Sequence, residues 1–226
     1  KTMVINIIIQ ARTSSKRFKS KVLLNLFNEI VILHLIKKLK NIKYINKIIV
    51  ATSIENSDNR LCRVLKKRNI DVFRGSLNNV YSRYRDCLIL NKCDYFVRIS
   101  ADSPFLSKNL LQSFINIIKK NPNVDILTNI KKRSFPKGQS IEICKSKKFI
   151  SLKENVTTIS EKEHVTEIFY NKLNKFKFLS IIQRTQIKID DLNSCIDHPK
   201  DIFFSKRFIN HSTIKSLHKN FIIIKS

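Results

Sequence analysis

Glycine is almost missing from this chain of 226 residues: only Gly75 and Gly138 are present. That excludes collagen-like repeats, Gly-rich low-complexity segments and Gly-rich phosphate loops. There is no tryptophan, and proline and methionine number four and one. Acidic residues are scarce, 17 against 44 Lys and Arg, which leaves a formal charge of +27. The five cysteines, Cys62, Cys87, Cys93, Cys144 and Cys195, form no C-x-x-C pair and no Cys–His cluster with zinc spacing. Reduced thiols in a cytoplasmic protein are the expectation. No run of about 18 apolar residues occurs, so no membrane span is expected.

What is present is enough to fold. Hydrophobic residues make up 42% of the chain, and the length suits one domain over residues 1–226. The positive charge has two readings. A strongly basic chain attracts nucleic acid, phosphates and anionic surfaces. Here, though, the charge is mostly Lys, spread without a compact block, beside abundant Ile and Asn. Lys, Ile and Asn share A/T-rich codons, so the charge also reads as compositional drift on solvated faces. No zinc finger, RNP string or G-x-x-G supports specific nucleic-acid binding.

The hydrophobic pattern alternates short β-branched runs with helical spacing. Strands are expected at Val4–Ile9, Ile45–Thr52, Asp71–Arg74 and Asp94–Ile99. Helices are expected at Ile30–Leu39, Asn59–Lys67, Val80–Leu90 and Asn109–Ile118. That rhythm predicts βαβ units and a mostly parallel central sheet flanked by helices, a three-layer α/β/α architecture. Beyond Pro122 the pattern predicts strands at Val124–Thr128, Ser140–Cys144, Phe176–Ile182 and Gln186–Ile189. Helices follow at Ser160–Leu173 and Lys200–Ile209. The apolar Phe221–Ile224 run in the tail is expected to dock on the core or on another chain.

Ligands of open α/β sheets bind at the carboxyl ends of the strands, and three polar clusters fall there. Gln10–Lys21 offers Arg12, Arg17 and Lys21 with Ser14 and Ser15, chemistry for a polyphosphate or simply a solvated basic loop. Asp102, between a strand and Pro104, is either a Mg²⁺ carboxylate or a turn residue. Asp197 is a second metal ligand or a turn before the last helix.

Together these strings resemble a family. Gln10–Leu23 resembles the Q-A-R-x-x-S-x-R-L-P-G-K-V-L signature of cytidylyltransferases of the spore coat polysaccharide biosynthesis protein F type, related to CMP-KDO and CMP-sialate synthetases. Val72-Phe73-Arg74-Gly75-Ser76 with Val80, Arg83 and Tyr84 is similar to V-F-R-G-S-x-x-x-V-x-x-R-Y. Val97–Phe105 is similar to V-R-I-T-G-D-x-P-L. Pro136-Lys137-Gly138 with Glu142, Glu163-His164-Val165-Thr166 and Ile196–Asp201 resemble three further motifs, in order. Two family glycines are replaced, by Ser20 and Ala101, and Ser140 stands where an aspartate is usual.

The resemblance implies a nucleotide-diphospho-sugar transferase fold and transfer of CMP from CTP to a sugar-like acceptor, with Mg²⁺. By the same resemblance Gln10, Ala11, Arg12, Ser14, Ser15, Lys21, Thr52, Arg74, Gly75, Arg83 and Ala101 bind the nucleotide. Arg12, Lys21 and Asp102 serve catalysis, and Asp102 and Asp197 hold the metal. Glu142 and His164 face the acceptor, His164 as a general base or else as a capping or core residue. A homodimer is implied, with residues 124–178 as its interface or as part of the acceptor region. The other readings are a glycosyltransferase using a sugar nucleotide, though no D-x-D motif is present, and a basic nucleic-acid-binding protein.

Overall fold

In chain order the elements are β1 (Ile5–Gln10), β2 (Asn25–Leu26), β3 (Glu29–Ile30), α1 (Val31–Leu39), β4 (Ile45–Ser53), α2 (Asn59–Lys66), β5 (Asp71–Gly75), α3 (Val80–Leu90) and β6 (Tyr95–Ser100). They continue with α4 (Lys108–Lys120), β7 (Ile126–Thr128), β8 (Glu142–Lys145), α5 (Ser146–Ser151), α6 (Ile159–Glu163), α7 (Glu167–Asn171), β9 (Phe178–Gln183) and β10 (Phe221–Lys225). The computed structural model describes residues 2–15, 17–184, 193–202, 216–219 and 221–225.

β1 lies inside the sheet because its Ile residues have no polar face. Ile5, Ile7, Ile8 and Ile9 are all fully buried. It pairs in parallel with β4 on one side and β6 on the other. The full order is β10-β9-β7-β8-β6-β1-β4-β5. β5 is parallel to β4 and β9 to β7, while β8 runs antiparallel to both β6 and β7. The carboxyl ends of β1, β4, β5, β6 and β7 therefore share one rim with the amino end of β8.

Period-two alternation divides the core into two layers. Ile5, Ile7 and Ile9 pack with Leu35 and Leu39 of α1, Leu61 and Leu65 of α2, and Leu111 and Phe114 of α4. Ile8 faces the other way, toward Tyr84 of α3, Phe149 of α5 and Phe169 of α7. The expected three-layer α/β/α fold with a mostly parallel sheet is what the chain adopts.

Some details differ from expectation. The helix expected over Ser160–Leu173 is two short ones. Thr158 starts α6 with a reciprocal capping box to Glu161, and the chain leaves helical geometry at His164 before re-entering at Glu167. The β-branched pair Val165-Thr166 at the break disfavours helix. The β2–β3 hairpin and α5 have no counterpart in the hydrophobic pattern. The Phe221–Ile224 run forms β10, paired antiparallel with β9. The strand expected at Gln186–Ile189 and most of the helix expected at Lys200–Ile209 lie outside the described residues.

The two missing family glycines have different consequences. Ser20 adopts left-handed geometry (φ 56°, ψ 18°) at the start of the 3-10 turn Lys21–Leu23, with its N–H donating to the Thr13 carbonyl at 2.8 Å. A side chain there carries a steric cost that glycine avoids. Ala101 is buried and is not among the positive-φ residues, so its methyl group costs no backbone strain. Ser20→Gly should therefore stabilise the fold by about 0.5–1 kcal/mol, a rise in Tm of about 1–4 °C. Ala101→Gly should lower it by a similar amount. Thermal melts of both variants check the pair, and a gain from Ala101→Gly would contradict this account.

Candidate functional site

The loop after β1 is held by one carboxylate. Asp58, fully buried in the turn before α2, accepts from the Thr13 N–H (2.7 Å) and Thr13 Oγ1 (2.7 Å) on one oxygen. Its other oxygen accepts from Thr52 Oγ1 (2.9 Å), Ser53 N–H (3.1 Å) and Ser53 Oγ (2.5 Å). Burial pushes the carboxyl pKa up, but these bonds outweigh it and hold it below the ordinary carboxylate value. Thr52 thus serves the frame of the site. Arg12 and Ser14 emerge beside this anchor, and the Ser14 hydroxyl is buried without a hydrogen-bond partner. Ser15 is half-buried next to it.

From Ser20 the chain turns inward and carries Lys21 under the rim. The Lys21 ammonium is buried and donates to Asp102 Oδ2 at 2.8 Å and to Asp197 Oδ1 at 3.0 Å. Arg17 Nη2 lies 3.2 Å from the same Asp197 oxygen. Burial alone would lower the Lys21 pKa, but the charges and hydrogen bonds of Asp102 and Asp197 raise it above the ordinary lysine value. Neither aspartate spends its carboxylate on a helix cap: Ser107 caps α4 through the Leu110 N–H, and Asp201 accepts from the N–H groups of Asp197 and His198.

The turn Pro136-Lys137-Gly138 seats the Asp197 segment. Ser194 donates its N–H (2.9 Å) and its hydroxyl (2.7 Å) to the Lys137 carbonyl. Gly138 has φ +86°, and a Cβ there would lie 2.6 Å from the Ser194 carbonyl carbon, so glycine is required twice over. The Ile196 N–H then donates to the Asp102 carbonyl at 2.8 Å.

Two carboxylates converging on a single cation form an all-oxygen donor set suited to Mg²⁺, which takes one or two carboxylates and completes its shell from phosphates and water. Among the described residues no group of three or more His, Cys, Asp or Glu side chains could hold a metal. The remaining ligands would have to come from a substrate. Cys195 lies near the pair with its thiol pushed up to about 12, by burial first and then by Asp102, so it remains a neutral neighbour.

The other expected residues fall on two sides of this centre. On the β4–β5 side the Arg74 guanidinium is engaged three times, by the Ser53 carbonyl (2.9 Å), Asn59 Oδ1 (2.8 Å) and the Glu55 carbonyl (2.9 Å). Gly75 gives Arg83 its space: a Cβ at 75 would sit 2.9 Å from Arg83 Cγ. Arg83 is fully buried, donates to the Ser76 carbonyl at 2.9 Å, and leaves Nε and Nη2 without partners. Gln10 ends β1, with Ala11 and Ala101 buried beside it, and the Ala101 N–H donates to the Gln10 carbonyl at 3.0 Å.

On the β8 side Glu142 is buried and both its oxygens are taken, by Arg98 Nη1 and Tyr170 Oη, each at 2.7 Å. Arg98 also reaches toward Gln10 Oε1 at 3.4 Å. Glu142 thus anchors an arginine and a tyrosine, whereas His164 is exposed at the elbow between α6 and α7. Glu163 in the same elbow comes within 4.0 Å of Arg12. Sequence reasoning assigned no role to Asp58, Arg98 or Tyr170. The signals available for Arg98 were its charge inside the mostly apolar β6 and its place in the Val97–Phe105 motif string.

The three-layer α/β/α sheet with polar clusters gathered at its carboxyl rim matches the Rossmann-like fold of solved cytidylyltransferases. A family model described as cytidylyltransferase matches residues 6–223, and the chain belongs to that family. It is 32% identical over 194 residues to the uncharacterized protein MJ1063 of Methanocaldococcus jannaschii, covering 86% of this chain and 78% of the relative. It is 30% identical over 112 residues, 48% of this chain and 47% of the relative, to the spore coat polysaccharide biosynthesis protein SpsF of Bacillus subtilis. The structure of a cytidylyltransferase from Leptospira borgpetersenii superposes with a TM-score of 0.85 at 26% identity, over 94% of this chain and 90% of that one. Family membership decides among the three readings of the sequence.

The Asp58 anchor has a pH signature. Its carboxyl is depressed in the folded state, so its contribution to stability is complete above the unfolded value of about 3.9. The contribution is lost as pH falls through the depressed folded value. Asp58→Asn should cost about 2–4 kcal/mol at pH 7 by leaving buried donors mismatched. The gap to the wild-type protein should narrow below about pH 4. Urea melts across that range check this, and a gap that widens with acid would refute it.

Proposed function

We propose that this cytidylyltransferase transfers CMP from CTP to a hydroxyl of a sugar-like acceptor, releasing pyrophosphate. An acceptor oxygen attacks the α-phosphorus, the bond to the bridging oxygen of the β-phosphate breaks, and pyrophosphate departs with those electrons. The observation that carries this reading is the meeting of Lys21 with Asp102 and Asp197 beside the loop of Arg12 and Ser14. Cations, a hydroxyl and loop amides receive the β- and γ-phosphates, so charge developing on the leaving group meets preorganised donors. Asp102 and Asp197 would hold Mg²⁺, which when bound supplies neutralising charge to the phosphate oxygens. His164 is the candidate to take the acceptor hydroxyl's proton, being an exposed imidazole at the elbow between α6 and α7.

The relation to the Bacillus subtilis spore coat protein supports an acceptor drawn from surface polysaccharide synthesis. Five free cysteines are consistent with work in the cytoplasm, and no helix among the described residues is long and apolar enough to cross a membrane. A homodimer completes this reading.

Lys21→Ala and Asp102→Asn should each cut pyrophosphate release by roughly two to three orders of magnitude, the scale of losing one transition-state donor. Lys37→Gln combined with Lys66→Gln, both exposed on helices, should leave turnover within about twofold. Calorimetry should show CTP bound more tightly than ATP, GTP or UTP. Equal affinity for all four nucleotides, or equal losses from the two sets of variants, would defeat the assignment.

A further inference from the structure

Gln139 follows Gly138 and is fully buried, yet it belongs to no helix or strand. Its side-chain amide reaches two segments far apart in sequence. Oε1 accepts from the Ser107 N–H at 2.8 Å. Nε2 donates to the Phe105 carbonyl at 3.0 Å and to Ser194 Oγ at 2.9 Å. Both N–H groups and the oxygen are therefore engaged, as a buried amide requires.

These partners have a common character. Phe105 and Ser107 close the loop that presents Asp102. Ser194 opens the segment that presents Asp197, and its hydroxyl passes the bond on to the Lys137 carbonyl at 2.7 Å. The backbone of Gln139 is itself fixed, since its carbonyl accepts from Asn129 Nδ2 at 2.8 Å. The same asparagine accepts from the Ile141 N–H at 2.8 Å. One rigid amide thus ties both carboxylate-bearing segments to the turn beside them. The loops also meet through the Ile196 N–H and the Asp102 carbonyl and through Ser103 Oγ and Cys195 Sγ at 3.6 Å. The tie at Ser194 adds a further point of attachment behind them.

We propose that Gln139 is a positioning residue that sets the separation of Asp102 and Asp197, and through it the grip of the site on Lys21, on a divalent cation and on a triphosphate. It touches none of these itself. It acts as partners behind metal- and phosphate-binding carboxylates generally do, by fixing the orientation of the groups in front. The ligand half of the proposal rests on the function proposed above; the Lys21 half does not.

Gln139→Met keeps the side-chain volume and removes all three bonds, while Ser194→Ala removes one of them together with the hydroxyl bond to the Lys137 carbonyl, so that a folded variant remains if the first is too damaging. The first measurement is trace acetylation of the lysines by acetic anhydride, read residue by residue by mass spectrometry, with exposed Lys37 and Lys66 as internal references. Lys21 reacts slowly while it bridges two carboxylates. Its relative rate should rise roughly tenfold in Gln139→Met and less in Ser194→Ala, the lower end of what loss of such partners costs. Amide exchange of β1 and β4 should stay as in the wild type. The second measurement is calorimetry: the Kd for CTP with Mg²⁺ should weaken about 10- to 100-fold in Gln139→Met. Unchanged Lys21 labelling in both variants, or labelling that rises only in step with β1 exchange, would overturn the proposal. So would intact CTP affinity alongside a freed Lys21. A wild-type protein that binds no CTP would defeat the proposed function instead, and the labelling comparison would still decide the role of Gln139.

Discussion

The hydrogen bonds gathered on Asp58 govern where the chain can go after it leaves the central strand. Apart from Asn6, β1 is apolar as far as Ile9, and the chain then must expose a loop rich in cations and hydroxyls. Apart from Phe18, which packs on Leu26, Val31, Phe105 and Ile196, such a loop has little hydrophobic reason to adopt one path. A buried carboxylate that binds Thr13 on one side and Thr52 with Ser53 on the other supplies that reason. It locks the loop to the end of β4, and the return bond from Ser20 to Thr13 then directs Lys21 beneath the rim. Unmaking any one bond would leave a charged oxygen short of donors in a place water does not reach, which is why the group behaves as a unit.

Much of the fold was legible because its signal is local. The Ile run of β1 can only be a strand buried on both faces, and α3 spans Val80–Leu90 as the 3.6-residue spacing indicates. The Asn25–Ile30 hairpin was not legible, since it holds two residues per strand and turns through Phe27 at φ 59° with no glycine to mark it. The site divides in the same way. Lys21, Asp102 and Asp197 could be named from motif resemblance, but their meeting depends on strand order, which no spacing reveals. Glu142 could be named too, yet its part as the partner of Arg98 and Tyr170 is a product of tertiary packing. Asp58 and Gln139 carry no motif; they are polar residues whose work becomes visible only once their surroundings are buried.

The strong basic charge proves to be two different things. Lys37, Lys66 and Lys67 are exposed on helices or just past them, and Lys131, Lys132 and Arg133 on a loop. Screening keeps their separate contributions small. Three ion pairs at the rim, Lys21 with each of Asp102 and Asp197 and Arg98 with Glu142, each include a buried partner. In a chain with so few acids, placing Asp102, Asp197 and Glu142 together at that rim concentrates negative charge where cations already converge. Each of these carboxylates is thereby set directly against a cation.

The Lys21–Asp197 contact joins residues 176 positions apart. Contacts of such span form late, because a long loop must close before they yield anything. While the chain emerges from the ribosome, β1, β4, β5 and β6 can assemble with Lys21 and Asp102 already facing each other. The second carboxylate reaches the rim only after the chain has been made as far as Asp197. A chain cut short of Asp197 would leave Lys21 with Asp102 but without its second carboxylate. Completion of the charge centre thus waits on the segment that carries Asp197.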